Sequence, residues 1–282
     1  MTGRSVFFRP LRRHGHLALA ALVLLGWSLS GEGVAGMLFV PIWVLATQLI
    51  VAGSLEASRL RRRAWLGQYL RDDSPWRRWL AGGVLMVLRH QFVGALLALV
   101  LLVDLRLLAL AEWPLLLAAL PVMVLARHRL RRRLSRHVVA EHLPAVTRRL
   151  LVMPISALLA LAMVLAALWL PQPWLVGLVW EEAITRHLVV GEGGGLLGVF
   201  ERLAESAELT RQWAMQNAVE RFALATPLAV LGWLVLLLTQ GAVAWAYVRL
   251  LVGAEALRRE GRSLRRKPSG EPAPTADRET RP

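Results

Sequence analysis

Long apolar runs alternate with short arginine-rich ones along this chain. The apolar runs cover residues 17–30, 34–53, 79–103, 107–126, 150–170 and 227–248. An α-helix rises ~1.5 Å per residue, so a run near 20 residues reaches across the ~30 Å hydrocarbon core of a bilayer. The pattern predicts an all-α integral membrane protein with about six transmembrane helices. These form two hairpins and a final pair, with an amphipathic extracytoplasmic helix before the last span.

Polar residues divide the chain. A basic N-terminus, 1–16, precedes the first hairpin, 17–58, which turns at Gly31-Glu32-Gly33. The segment 17–30 also has the form of a signal peptide, with small residues at Ser28 and Ser30. A basic loop, 59–78, leads to the second hairpin, 79–126. Its turn is expected at Asp104-Leu105-Arg106. A turn at Glu112-Trp113-Pro114 would leave only 115–126 for the return, roughly 18 Å of helix, and would bury both charges. A second basic loop, 127–149, leads to the fifth span, 150–170, stopped by Pro171-Gln172-Pro173. Residues 171–226 form the extracytoplasmic segment. Within it, Leu196, Phe200, Leu203, Ala207, Ala214, Ala218 and Phe222 make a helical apolar stripe. The sixth span, 227–248, is followed by a basic tail, 249–282, whose Pro-rich end reads as disordered.

Charge sets the orientation. The chain of 282 residues carries 34 Lys and Arg against 19 Asp and Glu, a net charge of +15. Such a balance can signal nucleic-acid binding, but the arginines border apolar runs instead of forming an aromatic-interleaved patch on a polar domain. No nucleic-acid partner is expected. The string Arg-Leu-Arg-Arg-Arg occurs at 59–63 and again at 129–133, each followed by an Arg-Arg pair, Arg77-Arg78 and Arg148-Arg149. This repeat of hairpin plus basic block suggests duplicated topology. Basic residues stay on the cytoplasmic side, which places both termini in the cytoplasm of a bacterial inner-membrane protein. Arg61, Arg62, Arg63, Arg131, Arg132 and Arg133 are then candidate contacts for anionic lipid headgroups.

Chemistry-bearing motifs are sparse. With no cysteine, thiolate nucleophiles and disulfides are excluded. Glu181-Glu182-Ala183-Ile184-Thr185-Arg186 resembles the Glu-Glu-x-x-x-Arg signature of the CAAX-protease and bacteriocin-processing family of intramembrane enzymes. The resemblance implies glutamates that activate water together with histidines on later helices. His187 is the last histidine here, so those partners have no counterpart. A solvated helix face accounts for the string. His137, Glu141 and His142 match no metal-ligand spacing and sit among arginines, so no metal site and no cofactor are expected. Gly193-Gly194-Gly195 lacks the Lys-Ser/Thr and the preceding strand of a phosphate loop and reads as a hinge.

The remaining candidate lies inside a span. Arg89-His90-Gln91 sits about 15 Å into the second hairpin, where an ionisable residue costs ~3 kcal/mol to insert. Counted from their own basic ends, Thr47-Gln48, Ser156 and Thr239-Gln240 reach a similar depth, with Pro121 opposite. They predict a polar layer in which Arg89, His90, Gln91, Gln48 and Gln240 are candidate ligand-binding residues. No catalytic set is expected. The favoured function is a non-enzymatic accessory, assembly or sensory subunit, with a membrane or periplasmic partner contacted through Phe200. A transporter or channel for a small anion, using the layer around Arg89, is the alternative.

Overall fold

The computed structural model describes residues 15–69, 84–139, 143–170, 173–188, 195–221 and 225–266. Their regular structure is entirely helical. The helices are α1 (Gly15–Ser28), α2 (Glu32–Tyr69), α3 (Val84–Leu107), α4 (Trp113–Leu134), α5 (Leu143–Trp169), α6 (Trp180–His187), α7 (Leu196–Arg221) and α8 (Ala225–Arg266). A 3-10 turn, Leu110–Glu112, joins α3 to α4. Segments 1–14 and 267–282, Asp72, Asp73, Trp76, Trp79, Glu141, His142 and Gly191 to Gly194 lie outside the described residues.

Among the described residues five segments are long and apolar enough to cross a membrane: Glu32–Leu55, Leu85–Leu107, Leu110–Leu134, Val146–Trp169 and Val230–Arg258. Helix α1 is shorter over its described residues, 14 of them or about 21 Å, yet its His16 meets Arg258 at the end of the segment Val230–Arg258, so α1 runs level with the spans. It still buries one stripe, Leu17, Ala21, Leu24 and Trp27, against the bundle. After it, the Ser30 hydroxyl donates to the Trp27 carbonyl at 2.6 Å and the chain reverses into α2.

The second hairpin turns later than the sequence predicts, at Leu108 to Glu112 instead of Asp104-Leu105-Arg106. Two facts remove the case for the earlier turn. Arg106 is satisfied inside the bundle, donating to the Ser30 carbonyl at 2.8 Å and pairing with Glu201. The return helix also does not stop at 126; α4 continues through Arg129 and Arg131 to Leu134. The basic blocks are therefore helical in part. Helix α2 carries Arg59 to Arg63 as far as Tyr69, and α8 continues to Arg266. Arginine is a good helix former, and a helix leaving the bilayer keeps its internal hydrogen bonds.

Helix α8 is the central post and packs mainly on α5, α2 and α7. Indole and phenol donors stitch the helices through carbonyls. Trp27 donates to Leu102 at 2.9 Å, Trp43 to Ala95 at 2.7 Å and Tyr247 to Leu116 at 3.0 Å. Small residues let α2 and α8 approach closely: a Cβ built on Gly53 would lie 3.1 Å from the Gly253 nitrogen. Large apolar side chains such as Met37, Leu85, Phe92, Met153 and Leu238 are exposed on the outer faces. That is the inverse of a water-soluble surface.

Candidate functional site

At the end of the bundle where the basic blocks begin, four helices line a half-open cavity of about 1060 Å³. Helix α2 contributes Ile50, Gly53, Ser54 and Ser58, and α3 contributes Met86, Arg89, His90 and Val93. Helix α5 adds Arg148, Arg149, Val152 and Met153, and α8 adds Trp245, Arg249 and Val252. The spacing on each helix is three or four residues, so each offers a single face.

Four guanidinium groups from three helices meet this cavity. Arg148 is buried, Arg249 is half-buried, and Arg89 and Arg149 are exposed. Arg249 stacks over the Trp245 ring at 4.1 Å, which holds its plane against the apolar wall. No carboxylate is among the described lining residues. Glu255, one turn beyond Val252, is engaged by Arg127 of α4.

His90 bridges α3 to α2. Its Nδ1 lies 2.8 Å from the Met86 carbonyl and its Nε2 lies 3.0 Å from the Ser58 hydroxyl oxygen. A carbonyl only accepts, so Nδ1 carries the proton; in the neutral ring Nε2 then accepts from Ser58. A backbone carbonyl from the same helical turn orients the ring, where a nucleophilic triad uses a carboxylate. The pair therefore acts as a clamp between helices. Chemically the site combines fixed cations, two hydroxyls and an apolar wall, which suits an amphipathic anion.

Only part of the expected polar layer comes together. Arg89 and His90 line the cavity, while Gln91 is half-buried beside it and Gln48 is exposed on another face of α2. Thr47 and Ser156 are buried but turn back on their own helices, donating to Trp43 at 2.8 Å and Val152 at 2.6 Å. Thr239 belongs to a different cluster, where Arg211 donates to its hydroxyl at 3.2 Å, and Gln240 is half-buried and does not line the cavity. Depth counted along each helix ignores rotation about it, and each residue turns the face by ~100°. Arg148, Arg149 and Arg249 escaped attention because arginines bordering a span first read as topology markers. The signal was Arg249 itself, set between the apolar runs of α8.

Elsewhere, Arg131, Arg132 and Arg133 are exposed on the last turn of α4, and the side chains of Arg61, Arg62 and Arg63 lie outside the described residues. Phe200 is turned inward against Phe39, ring centroids 6.1 Å apart, so its contact is within the chain. On α6, Glu182 pairs with Arg186 one turn on, on an exposed face. Among the described residues no three His, Asp or Glu side chains are placed to hold a metal ion.

Comparison with known protein families, with curated proteins and with solved structures found no match.

Proposed function

We propose that this is a non-enzymatic integral membrane protein of accessory or sensory kind. In this reading its four-arginine cavity holds a phosphate-bearing anionic headgroup at the cytoplasmic side. One observation carries the reading: Arg89, Arg148, Arg149 and Arg249 converge on one cavity with an apolar wall. Planar guanidinium forks match phosphate oxygens in pairs, and such charge-assisted bonds are about twice as strong as neutral ones. An arginine that merely reaches for bulk water would not stack over Trp245 facing a cavity. The positive-inside rule assigns this end, and both termini, to the cytoplasm of a bacterial inner membrane.

Transport of a small anion is favoured by Arg89 and His90 lining the same cavity. Against it, Leu97, Leu101, Leu102, Val243, Ala244, Tyr247 and Val248 are buried in the bundle core. An anion would meet a dry apolar barrier on its way across.

The test begins with the protein purified from native membranes in mild detergent and native mass spectrometry of what stays bound. Wild type should retain an acidic phospholipid, and the Arg149→Gln/Arg249→Gln variant should lose it. Retention of zwitterionic lipid alone, or of the same lipid by both proteins, would sink the headgroup reading. Anion flux in proteoliposomes that Arg89→Gln abolishes would instead support the transporter.

A further inference from the structure

Helix α7 is turned inside out. Its exposed described residues are Leu196, Val199, Leu203, Ala207 and Ala214, all apolar. Three of its charged side chains, Glu201, Glu208 and Arg211, are ion-paired. Glu201 pairs with Arg106 of α3, Arg211 is buried and pairs with Glu208, and Gln212 donates to Glu208 at 2.8 Å. The neighbouring helix α6 behaves in the opposite way. It buries Ala183 and exposes Glu181, Thr185 and Arg186, as a helix in water does.

The first turns of α7 also lie at the level of the spans. Leu197 is buried in the same apolar core as the spanning helices, and Phe200 and Ala204 pack against that core. Phe200 meets Phe39, which is seven residues into the segment Glu32–Leu55 and so about 10 Å below its outer end. A helix beside a spanning segment at that depth has an outward face that meets whatever the spanning segment meets. Met37 and Val40, flanking Phe39, are exposed in the same way.

We propose that α7 is embedded in the outer leaflet, with Leu196, Val199 and Leu203 against lipid acyl chains, Glu201 paired with Arg106 of α3, and Arg211 held by Glu208 and by Thr239 of α8. The paired charges follow from the same physics: in hydrocarbon an unpaired charge is costly, and pairing it removes that cost. The overall polarity of α7 hides this placement from any hydropathy window, because Glu201, Glu205, Glu208 and Arg211 count against it wherever they point.

The absence of cysteine makes the test direct. Single-cysteine variants Val199→Cys, Leu203→Cys, Met37→Cys and Thr185→Cys are spin-labelled and reconstituted in proteoliposomes. Collision with oxygen, which is enriched in lipid, is then compared with collision with a water-soluble nickel chelate. Labels at 199 and 203 should give an oxygen-to-nickel ratio several-fold above that at Thr185→Cys and close to that at Met37→Cys. A ratio equal to that at Thr185→Cys places α7 in water and overturns the proposal. Low collision with both reagents means a protein partner or second copy covers the face, and also overturns it. Leu196→Cys serves as a further position if either α7 variant does not reconstitute.

Discussion

Replacing Gly253 by alanine should separate α2 from α8 and damage the cavity they share. A Cβ at this position would lie 1.8 Å from the Leu49 carbonyl oxygen. A relaxed carbon–oxygen contact is ~3.3 Å, so the helices must part by about 1.5 Å. The obstacle is backbone, which cannot rotate aside as a side chain can. Overpacking costs about 1–3 kcal/mol in ordinary cores, and this contact belongs at the upper end or beyond. Alanine regains up to ~1 kcal/mol of helix propensity, leaving a net loss of roughly 2 kcal/mol. For a chain of this size that is a fall in Tm of roughly 5 °C. The comparison is internal. At Gly36 and Gly241 an added Cβ meets nothing within 4 Å, so alanine there should be neutral or stabilising. At Gly94 and Gly232 it meets Val51 Cγ2 at 2.5 Å and Met215 Cγ at 2.6 Å, side-chain atoms that can move. The assay is thermal unfolding of the detergent-solubilised variants. Gly253→Ala as stable as Gly36→Ala would refute the close helix contact. Because Gly53 and Val252 line the cavity beside it, Gly253→Ala should also release the bound anionic lipid.

Three further outcomes are expected. The Arg127–Glu255 pair is largely buried, at 15% and 7% side-chain exposure, so Arg127→Gln or Glu255→Gln alone should cost about 3 kcal/mol. The Arg127→Leu/Glu255→Leu double variant should recover most of that loss, as read by thermal unfolding of wild type and the three variants. Tyr247→Phe leaves the Leu116 carbonyl without its buried donor and should cost about 1 kcal/mol, read from the same melts. Reporter fusions that work only outside the cytoplasm should be active after Glu32, Glu112 and Arg186 and silent after Arg133 and Lys267; activity at Arg133 would reverse the second hairpin.

The run of apolar segments made the membrane class and most helices legible, because hydrocarbon length is a property of composition alone. Helix ends were less legible. Arg59 and Arg129 looked like loop residues, yet α2 and α4 run through them, since nothing in an arginine run breaks a helix. The turn at Leu108 to Glu112 was misplaced because the partner of Arg106, Glu201, lies 95 residues away in sequence. Of the four arginines at the candidate site only Arg89 is legible in the sequence, with His90 beside it. The other arginines join it only through the rotational setting of α5 and α8, which packing decides. Helix α7 is legible as amphipathic, but the sequence directs its apolar stripe, through Phe200, at a membrane or periplasmic partner. Of the expected stripe, Phe200 turns inward while Leu196, Leu203, Ala207 and Ala214 face out, because ion pairs with Arg106 and contacts to Thr239 set its rotation.

Recognition of an anionic headgroup by the arginine cavity is readable through linkage. A ligand that binds only the folded protein stabilises it by about 2.7 kcal/mol at a hundred times its Kd. Purified, delipidated protein is melted in detergent with increasing short-chain phosphatidylglycerol or, separately, short-chain phosphatidylcholine. Tm should rise saturably with phosphatidylglycerol and much less with phosphatidylcholine, and the difference should be lost in Arg149→Gln/Arg249→Gln. Equal shifts with the two lipids, or an unchanged preference in that variant, would contradict that recognition.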